Sequence, residues 1–331
     1  MAKKKVGGGL AALLVLAVAA IAAVILLVSL ITTETGGTPP PRLDPERLGR
    51  PLIRIEDKVI TQFHLELGRQ FEGIKRGKEG YKQPDHGILR ELIETAIFET
   101  ILAKHGRGLT PQEISNDRAR GIRESREPAK MRELIALLDQ YPGMFELFQV
   151  KPALANQRIH YGLLPDKSVQ AEVYAKAEAA LKEALREGED FFRRRKEEDP
   201  LTYRRTDTDN PTLGVGPSRS QEGPKRPPGE EEEMKRIIRD FANKNLSTTA
   251  EGQVCANLIE AEGGYLVVRL IERNDKRIQY DVVSYPKIPF DVWYSGELKK
   301  IKGEIVDPSV REMLIKNMGR DHKIIRWLLG E

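Results

Sequence analysis

Cysteine and histidine, which hold many protein-bound metals and carry much nucleophilic catalysis, are scarce in this sequence. The 331-residue chain has one cysteine, Cys255, which excludes an intrachain disulfide framework and a cysteine-based zinc site. Its five histidines are scattered, without a metal-ligand spacing such as HExxH. Cys255 stands between Val254 and Leu258 with no histidine nearby, so we interpret it as a buried structural thiol. We therefore expect no metal and no other cofactor.

Aromatic residues and an excess of one charge are also lacking. Aromatics make up 6% of the chain and charged residues 31%, which indicates a helix-rich, well-solvated protein with modest cores. The formal net charge is only +4, and basic and acidic residues are interleaved. A nucleic-acid interface would need basic residues clustered on one face, so we expect no nucleic-acid partner. P-loop, GxGxxG and GxSxG motifs are missing, and the usual nucleotide and hydrolase chemistry has no support.

One long apolar run is present near the N-terminus. Residues 10–31 are apolar except for Ser29, and as a helix they would span roughly 33 Å, enough for the ~30 Å core of a bilayer. Lysines 3–5 precede the run and no charge follows until Glu34, so the positive-inside rule places the N-terminus in the cytoplasm. We predict a single-pass inner-membrane protein whose C-terminal part lies in the periplasm or extracytoplasmic space. A cleaved signal peptide is the alternative.

Helical periodicity dominates the next part of the chain. After short strands around Ile53 and Ile60, the sequence predicts helices over 61–75 and 88–104, the second with a wide apolar stripe. Thr110, Pro111 and Glu113 form the pattern of a capping box and predict a mostly polar helix that begins at Pro111.

Strand patterns follow a long helix over 168–188 and a stretch rich in Pro, Gly, Thr and Asp. The segments 253–259 and 265–271 are separated by Glu262-Gly263-Gly264 and predict a hairpin, and 278–283 predicts a third strand. We divide the chain into a cytoplasmic N-terminus (1–9), a transmembrane helix (10–31), a proline-rich tether (32–50), a helical domain (51–164), an α+β domain (165–285) with a flexible insert (200–229), and a C-terminal helical extension (286–331).

Four segments carry a family likeness. Residues 53–61 read Ile-Arg-Ile-Glu-Asp-Lys-Val-Ile-Thr, and residues 180–191 end in Gly-Glu-Asp-Phe. Residues 210–214 read Asn-Pro-Thr-Leu-Gly, and residues 264–269 read Gly-Tyr-Leu-Val-Val-Arg. In this order the chain resembles exported folding factors of the SurA, PpiD and PrsA type, in which a SurA-like helical chaperone domain precedes a parvulin-type peptidyl-prolyl isomerase domain.

The resemblance implies an α+β, predominantly helical fold: a transmembrane helix, a helical chaperone module and a small, degenerate parvulin-like domain. It also implies binding of unfolded or nascent exported polypeptides, with weak or absent prolyl isomerase activity. Leu266 stands where the family has its closing-strand histidine, and His160 would be the opening-strand histidine if 158–161 forms a strand. The alternative is a surface or helix-packing histidine. The implied substrate groove consists of Leu213, Met234, Ile238, Phe241, Tyr265 and Leu266.

Two other functions are compatible with the same sequence. An active prolyl isomerase needs neither nucleophile nor metal, because an apolar pocket that holds proline while the carbonyl twists can lower the ~18–20 kcal/mol barrier of the peptide bond. A non-catalytic structural subunit that holds a membrane complex together would also explain an anchor and a lost histidine.

Overall fold

The computed structural model describes residues 49–76, 83–139, 141, 143–209 and 228–331. These residues divide into two compact units. The first unit contains the chain up to Leu163 together with Trp293–Glu331, and the second is Leu164–Val292. Each unit has its own small antiparallel sheet.

Helices outnumber strands along the described chain. The part up to Leu163 forms β1 (Pro51–Ile55), β2 (Lys58–Thr61), α1 (Gln62–Arg76), α2 (Asp85–Lys104), α3 (Pro111–Glu124), α4 (Pro128–Leu138) and α5 (Lys151–Gln157), with π-helical segments at Glu146–Val150 and Arg158–Leu163. The remainder forms α6 (Ala171–Glu187), α7 (Glu189–Glu198), β3 (Tyr203–Asp207), α8 (Pro228–Asn245), β4 (Ile259–Ala261), β5 (Gly264–Arg273), β6 (Ile278–Pro286), α9 (Phe290–Leu298), β7 (Gly303–Ile305), α10 (Pro308–Met318) and α11 (Lys323–Leu328).

The fold class that we predicted is wrong. We expected a transmembrane helix, a helical module that begins with short strands, and a single small α+β domain, but each of the two units combines helices with a sheet. In the part of the chain that the structure describes, no helix is long and apolar enough to cross a membrane. The run over 10–31, predicted as the transmembrane helix, lies outside that part.

Helix α2 forms the centre of the first unit. Its apolar residues are buried on most sides, including Ile88, Leu89, Ile93 and Ile97, and it contacts α1, α5, β1 and α10. A helix that is apolar around most of its circumference needs partners on several sides. The wide stripe in the sequence therefore correctly predicted a core helix.

Strand β1 lies in the middle of the first sheet, with β2 on one side and β7 on the other. Ile53 pairs with Ile60 of β2 and also with Ile305 of β7, 252 positions later in the chain. Residues 293–331 thus belong to the first unit and do not form a separate extension over 286–331. Gly303 allows this packing, because a Cβ there would lie 2.3 Å from the Trp327 ring.

The predicted capping box at the start of α3 is confirmed. The Thr110 side chain accepts from the Glu113 backbone N–H, and Glu113 Oε2 accepts from the Thr110 N–H at 2.9 Å. Arg158 also donates to this carboxylate and to the Gly108 carbonyl. The hydrogen bonds from Arg158 and Thr110 lower the pKa of Glu113 to about 2. This carboxylate is therefore charged throughout the neutral range.

Helix α1 begins with a cap that depends on a neutral histidine. His64 Nδ1 accepts a hydrogen bond from the Thr61 backbone N–H at 3.0 Å and lies 2.9 Å from the Thr61 hydroxyl. Burial, with a further contribution from Lys151, lowers the pKa of His64 below 6.5. Protonated Nδ1 cannot accept these bonds, so the cap and the histidine charge exclude each other.

We expect the stability contributed by His64 to fall as the pH is lowered. Because its pKa is lower in the folded chain, the unfolded chain binds the proton first, and the contribution is complete above about pH 6.5 and lost towards the folded pKa. The free energy of unfolding of the first unit, measured from pH 5 to 8, should show this slope. His64→Gln is the matched variant, since its amide oxygen can accept from Thr61 but does not titrate. If the unfolding free energy of this variant depends on pH as steeply as that of the parent chain, His64 does not cause the dependence.

The second unit is a four-stranded sheet in the order β3-β6-β5-β4, with helices on both faces. Side chains of β5 alternate: Val268 and Leu270 pack with α8, whereas Val267 packs with α6 and α7. The predicted hairpin turn, its second strand and the third strand are present as the β4–β5 turn, β5 and β6. The first strand was predicted over 253–259, but β4 is Ile259–Ala261, and within 253–258 only Val254 forms a bridge, to Arg269.

Strand β3 lies inside the stretch that we predicted as a flexible insert over 200–229. It pairs with β6, and Arg205 and Asp207 form ion pairs with Asp281 and Arg277. A strand with three charged residues out of five has no apolar alternation, so its partners on β6 could not be recognised from its own sequence.

Candidate functional site

Four of the predicted groove residues lie together between α8 and the second sheet. Met234, Ile238 and Phe241 come from α8, and Leu266 comes from β5. Ile238 is fully buried in the core, while Met234, Phe241 and Leu266 are only partly buried. The Phe241 ring stacks on Tyr280 at 5.4 Å between centroids, and burial raises the pKa of Tyr280 to about 12. The aromatic pair therefore stays uncharged and apolar at neutral pH.

Tyr265, the fifth residue, lies on the opposite face of the sheet. Successive side chains of a strand alternate, so Tyr265 cannot share a face with Leu266. Its ring is buried, makes an edge contact with Tyr174 at 5.3 Å between centroids, and has the Lys287 ammonium 5.5 Å from its centroid. Burial raises the pKa of its hydroxyl. We interpret Tyr265 as a core residue of the α6 face.

The remaining two candidates do not join this group. Leu213 lies outside the residues that the structure describes. His160 belongs to the first unit, in the π-helical segment Arg158–Leu163, where it is half-buried and burial lowers its pKa. Residues 158–161 are therefore helical, and the condition under which His160 would be the opening-strand histidine is not met. The strands beside β5 are β6 and β4, and Leu266 is paired with Ser284 and Ile259.

The structure adds two residues that sequence reasoning missed. Val282 of β6 packs at the same cluster as Leu266, and Ile237 lies on α8 within one turn of both Met234 and Phe241, 41% exposed. We call Met234, Ile237, Phe241, Leu266 and Val282 the α8 face. Spacing of three and four residues along α8, and the two-residue alternation of β6, were signals in the sequence that could have identified Ile237 and Val282.

A buried ionic group occupies the other face of the same sheet. Asp281, 1% exposed, accepts hydrogen bonds from the Tyr203 hydroxyl at 2.7 Å, Arg205 Nε at 2.9 Å and Arg269 Nη1 at 3.5 Å. Arg269 is also buried and reaches Glu189 at 2.6 Å. Burial and the bond to Asp281 raise the pKa of Tyr203. Each charge has a close partner, and the hydrogen bonds to Asp281 connect β6 with β3 and β5.

The side chains of the α8 face set its chemistry. A thioether, an aromatic ring and three branched aliphatic side chains can bind apolar groups by contact and by release of water, but none of them can act as a nucleophile or a general acid. Among residues 49–76, 83–139, 141, 143–209 and 228–331, no group of three or more His, Cys, Asp or Glu is placed to hold a metal ion.

Comparison with known proteins identifies no relative. No protein-family model, no curated protein and no solved structure matches this chain. The resemblance to exported folding factors therefore stays a prediction.

Proposed function

We propose that this protein binds unfolded polypeptides through the α8 face and acts as a folding factor without needing catalysis. The observation that supports the proposal is the presence of partly exposed apolar side chains on α8, β5 and β6, four of them packed against one core cluster. Such a group retains water-exposed apolar surface that contact with another chain would bury, at about 25 cal/mol per Å².

The composition of the face favours adaptable binding over recognition of one sequence. Met234 has a flexible, polarizable side chain that fits differently shaped neighbours. Phe241 presents a ring already held by its stack on Tyr280, so its ordering cost on binding is small. Apolar segments exposed in unfolded chains, including proline and aromatic residues, would be suitable ligands.

His160 has no role in this proposal. It belongs to the first unit, whereas the α8 face belongs to the second, and Leu266 and Ser284 occupy the paired positions on β5 and β6. The localisation outside the cytoplasm stays a prediction, because it depends on residues outside the described part of the chain.

We expect charge on the α8 face to abolish the activity. The protein should slow aggregation of an unfolded model client, measured by light scattering at equal subunit concentrations, and the double variant Met234→Glu/Ile237→Glu should lose most of this effect. Both positions are partly exposed, so the fold tolerates the change while the apolar surface is lost.

Matched controls test whether the loss of activity is specific to the α8 face or follows from a charge at any exposed apolar residue. Leu185→Glu and Leu201→Glu place the same charge on exposed apolar residues elsewhere in the second unit, 49% and 64% exposed, and should leave the activity unchanged. His160→Ala should also have no effect. Equal loss in the α8-face variant and in these controls would contradict the assignment, and no effect of the parent protein at stoichiometric excess would end the chaperone proposal.

A further inference from the structure

Helix α3 docks on the first unit without burying a single residue. Its inward side is formed by the half-buried residues Ile114, Asp117, Arg118 and Ile122, which recur at helical spacing. Half of this docking side is charged. In comparison, α2 buries an apolar surface on most of its circumference. The two helices of the same unit are therefore held by different forces.

Ionic groups hold α3 in place. Arg118 Nη1 donates to Glu146 Oε1 at 2.5 Å, and Nη2 donates to Asp139. The same guanidinium lies 5.9 Å from the centroid of the Phe145 ring, which is only 8% exposed. At the first turn of the helix, Glu113 pairs with Arg158. Arg118 and Glu113 thus anchor two points of the helix, and Arg118 contributes to covering Phe145.

Two residues weaken the docked α3 helix, one by its desolvation and the other by its low helix propensity. Burial raises the pKa of Asp117, so docking costs desolvation of this carboxylate, whose ion-pair partner Arg120 lies on the same helix. Gly121 lies in the helix interior, where glycine is about 0.8–1.0 kcal/mol less favourable than alanine. No atom lies within 4 Å of a Cβ built at Gly121, so packing does not require glycine there.

We propose that α3 is a strap. When the ionic strength rises, the entire helix detaches from the first unit and uncovers the Phe145 ring, while the rest of the unit stays folded. Each partly exposed ion pair contributes only weakly to docking, and salt screens it. A detached helix of 14 residues is marginal in water, so α3 unfolds when it leaves. This inference concerns the first unit and is independent of the proposed function.

Hydrogen exchange of the full chain, followed by mass spectrometry, tests the strap. We expect amides of α3 to exchange faster than those of α2, and the rate in α3 to rise several-fold from 50 mM to 1 M salt while the rate in α2 is unchanged. Arg118→Gln should accelerate exchange in α3 at low salt. Arg123→Gln is the matched control, because Arg123 is exposed on the same helix.

A variant that stabilises α3 should change its exchange rate in the opposite direction. Gly121→Ala should slow exchange in α3 by about five-fold, since alanine favours the helix and fits the site. Three results would each overturn the strap: one common exchange rate for α2 and α3, a rate in α3 that does not depend on salt, or equal effects of Arg118→Gln and Arg123→Gln.

Discussion

A chain that ends at Lys302 should lose the fold of the first unit and keep that of the second. The deletion removes β7, which pairs with β1, and exposes the β1 edge. It also removes the side chains of Val310, Leu314, Ile324, Ile325 and Leu328, all of them buried. Full burial of an aliphatic side chain contributes about 1.5–3 kcal/mol, so these five together contribute roughly 8–15 kcal/mol. That is the whole stability of a typical domain, about 5–15 kcal/mol.

Hydrogen exchange resolved by segment is the suitable measurement for this truncation. Amides of β1, α1, α2 and α5 should lose protection, and amides of β5 and β6 should keep theirs, because 164–292 is a compact unit by itself. Retained protection in α2 would show that the tail is not required.

A point variant provides the control for the truncation. Glu304→Ala removes only the exposed ion pair between Glu304 and Arg54, at 2.6 Å, and leaves the β7 backbone in place. Exposed pairs contribute about 0–1 kcal/mol, so exchange in the first unit should change little. A collapse of the first unit in this variant would contradict the role we assign to the buried side chains of the tail.

Asp281→Ala should destabilise the second unit by about 3–5 kcal/mol. The variant leaves the buried Arg269 without the carboxylate on β6, and uncompensated buried charges cost that much. Glu189 still reaches Arg269 at 2.6 Å, which places the expected value near the lower limit. The Tyr203 hydroxyl and Arg205 lose the same acceptor, so the pairing of β3 with β6 should weaken first.

The control for Asp281 is Arg205→Ala. Arg205 has a half-exposed side chain, and its loss leaves Asp281 with Tyr203 and Arg269, so we expect a cost below about 1 kcal/mol. Both tryptophans, Trp293 and Trp327, belong to the first unit, and their fluorescence therefore reports that unit during denaturation. Hydrogen exchange in β3, β5 and β6 reports the second. Equal effects of the two substitutions would show that Asp281 is no more important than a surface partner.

Local features of this fold were predictable where the interacting residues are neighbours in the chain. Thr110 and Glu113 are three positions apart, and both bonds of their capping box form as predicted. The turn at 262–263 follows from Glu262-Gly263-Gly264, which stand directly before the apolar segment of β5. On α8, Met234, Ile238 and Phe241, which the resemblance implied as groove residues, pack against one core cluster.

Features that depend on distant partners were not predictable. Gly303–Ile305 is a strand because β1 accepts it, and the charged β3 is a strand because Arg205 and Asp207 meet Asp281 and Arg277. For His160 the sequence left two readings open, an opening strand or a helix-packing residue, and the segment is helical. In each case a short segment has no strong local preference, and a partner from another part of the chain decides its conformation.

The sequence by itself determined the helices with strong periodicity, the cap of α3 and the hairpin turn of the second sheet. These follow from backbone geometry and from contacts within a few residues. Only the tertiary structure decided that residues 293–331 complete the first unit and which helices cover the two faces of β5. It also decided that ion pairs help to hold α3, a helix without a fully buried residue. Burial and ion pairing between residues far apart in sequence exist only once the chain has folded, and they alone settle these points.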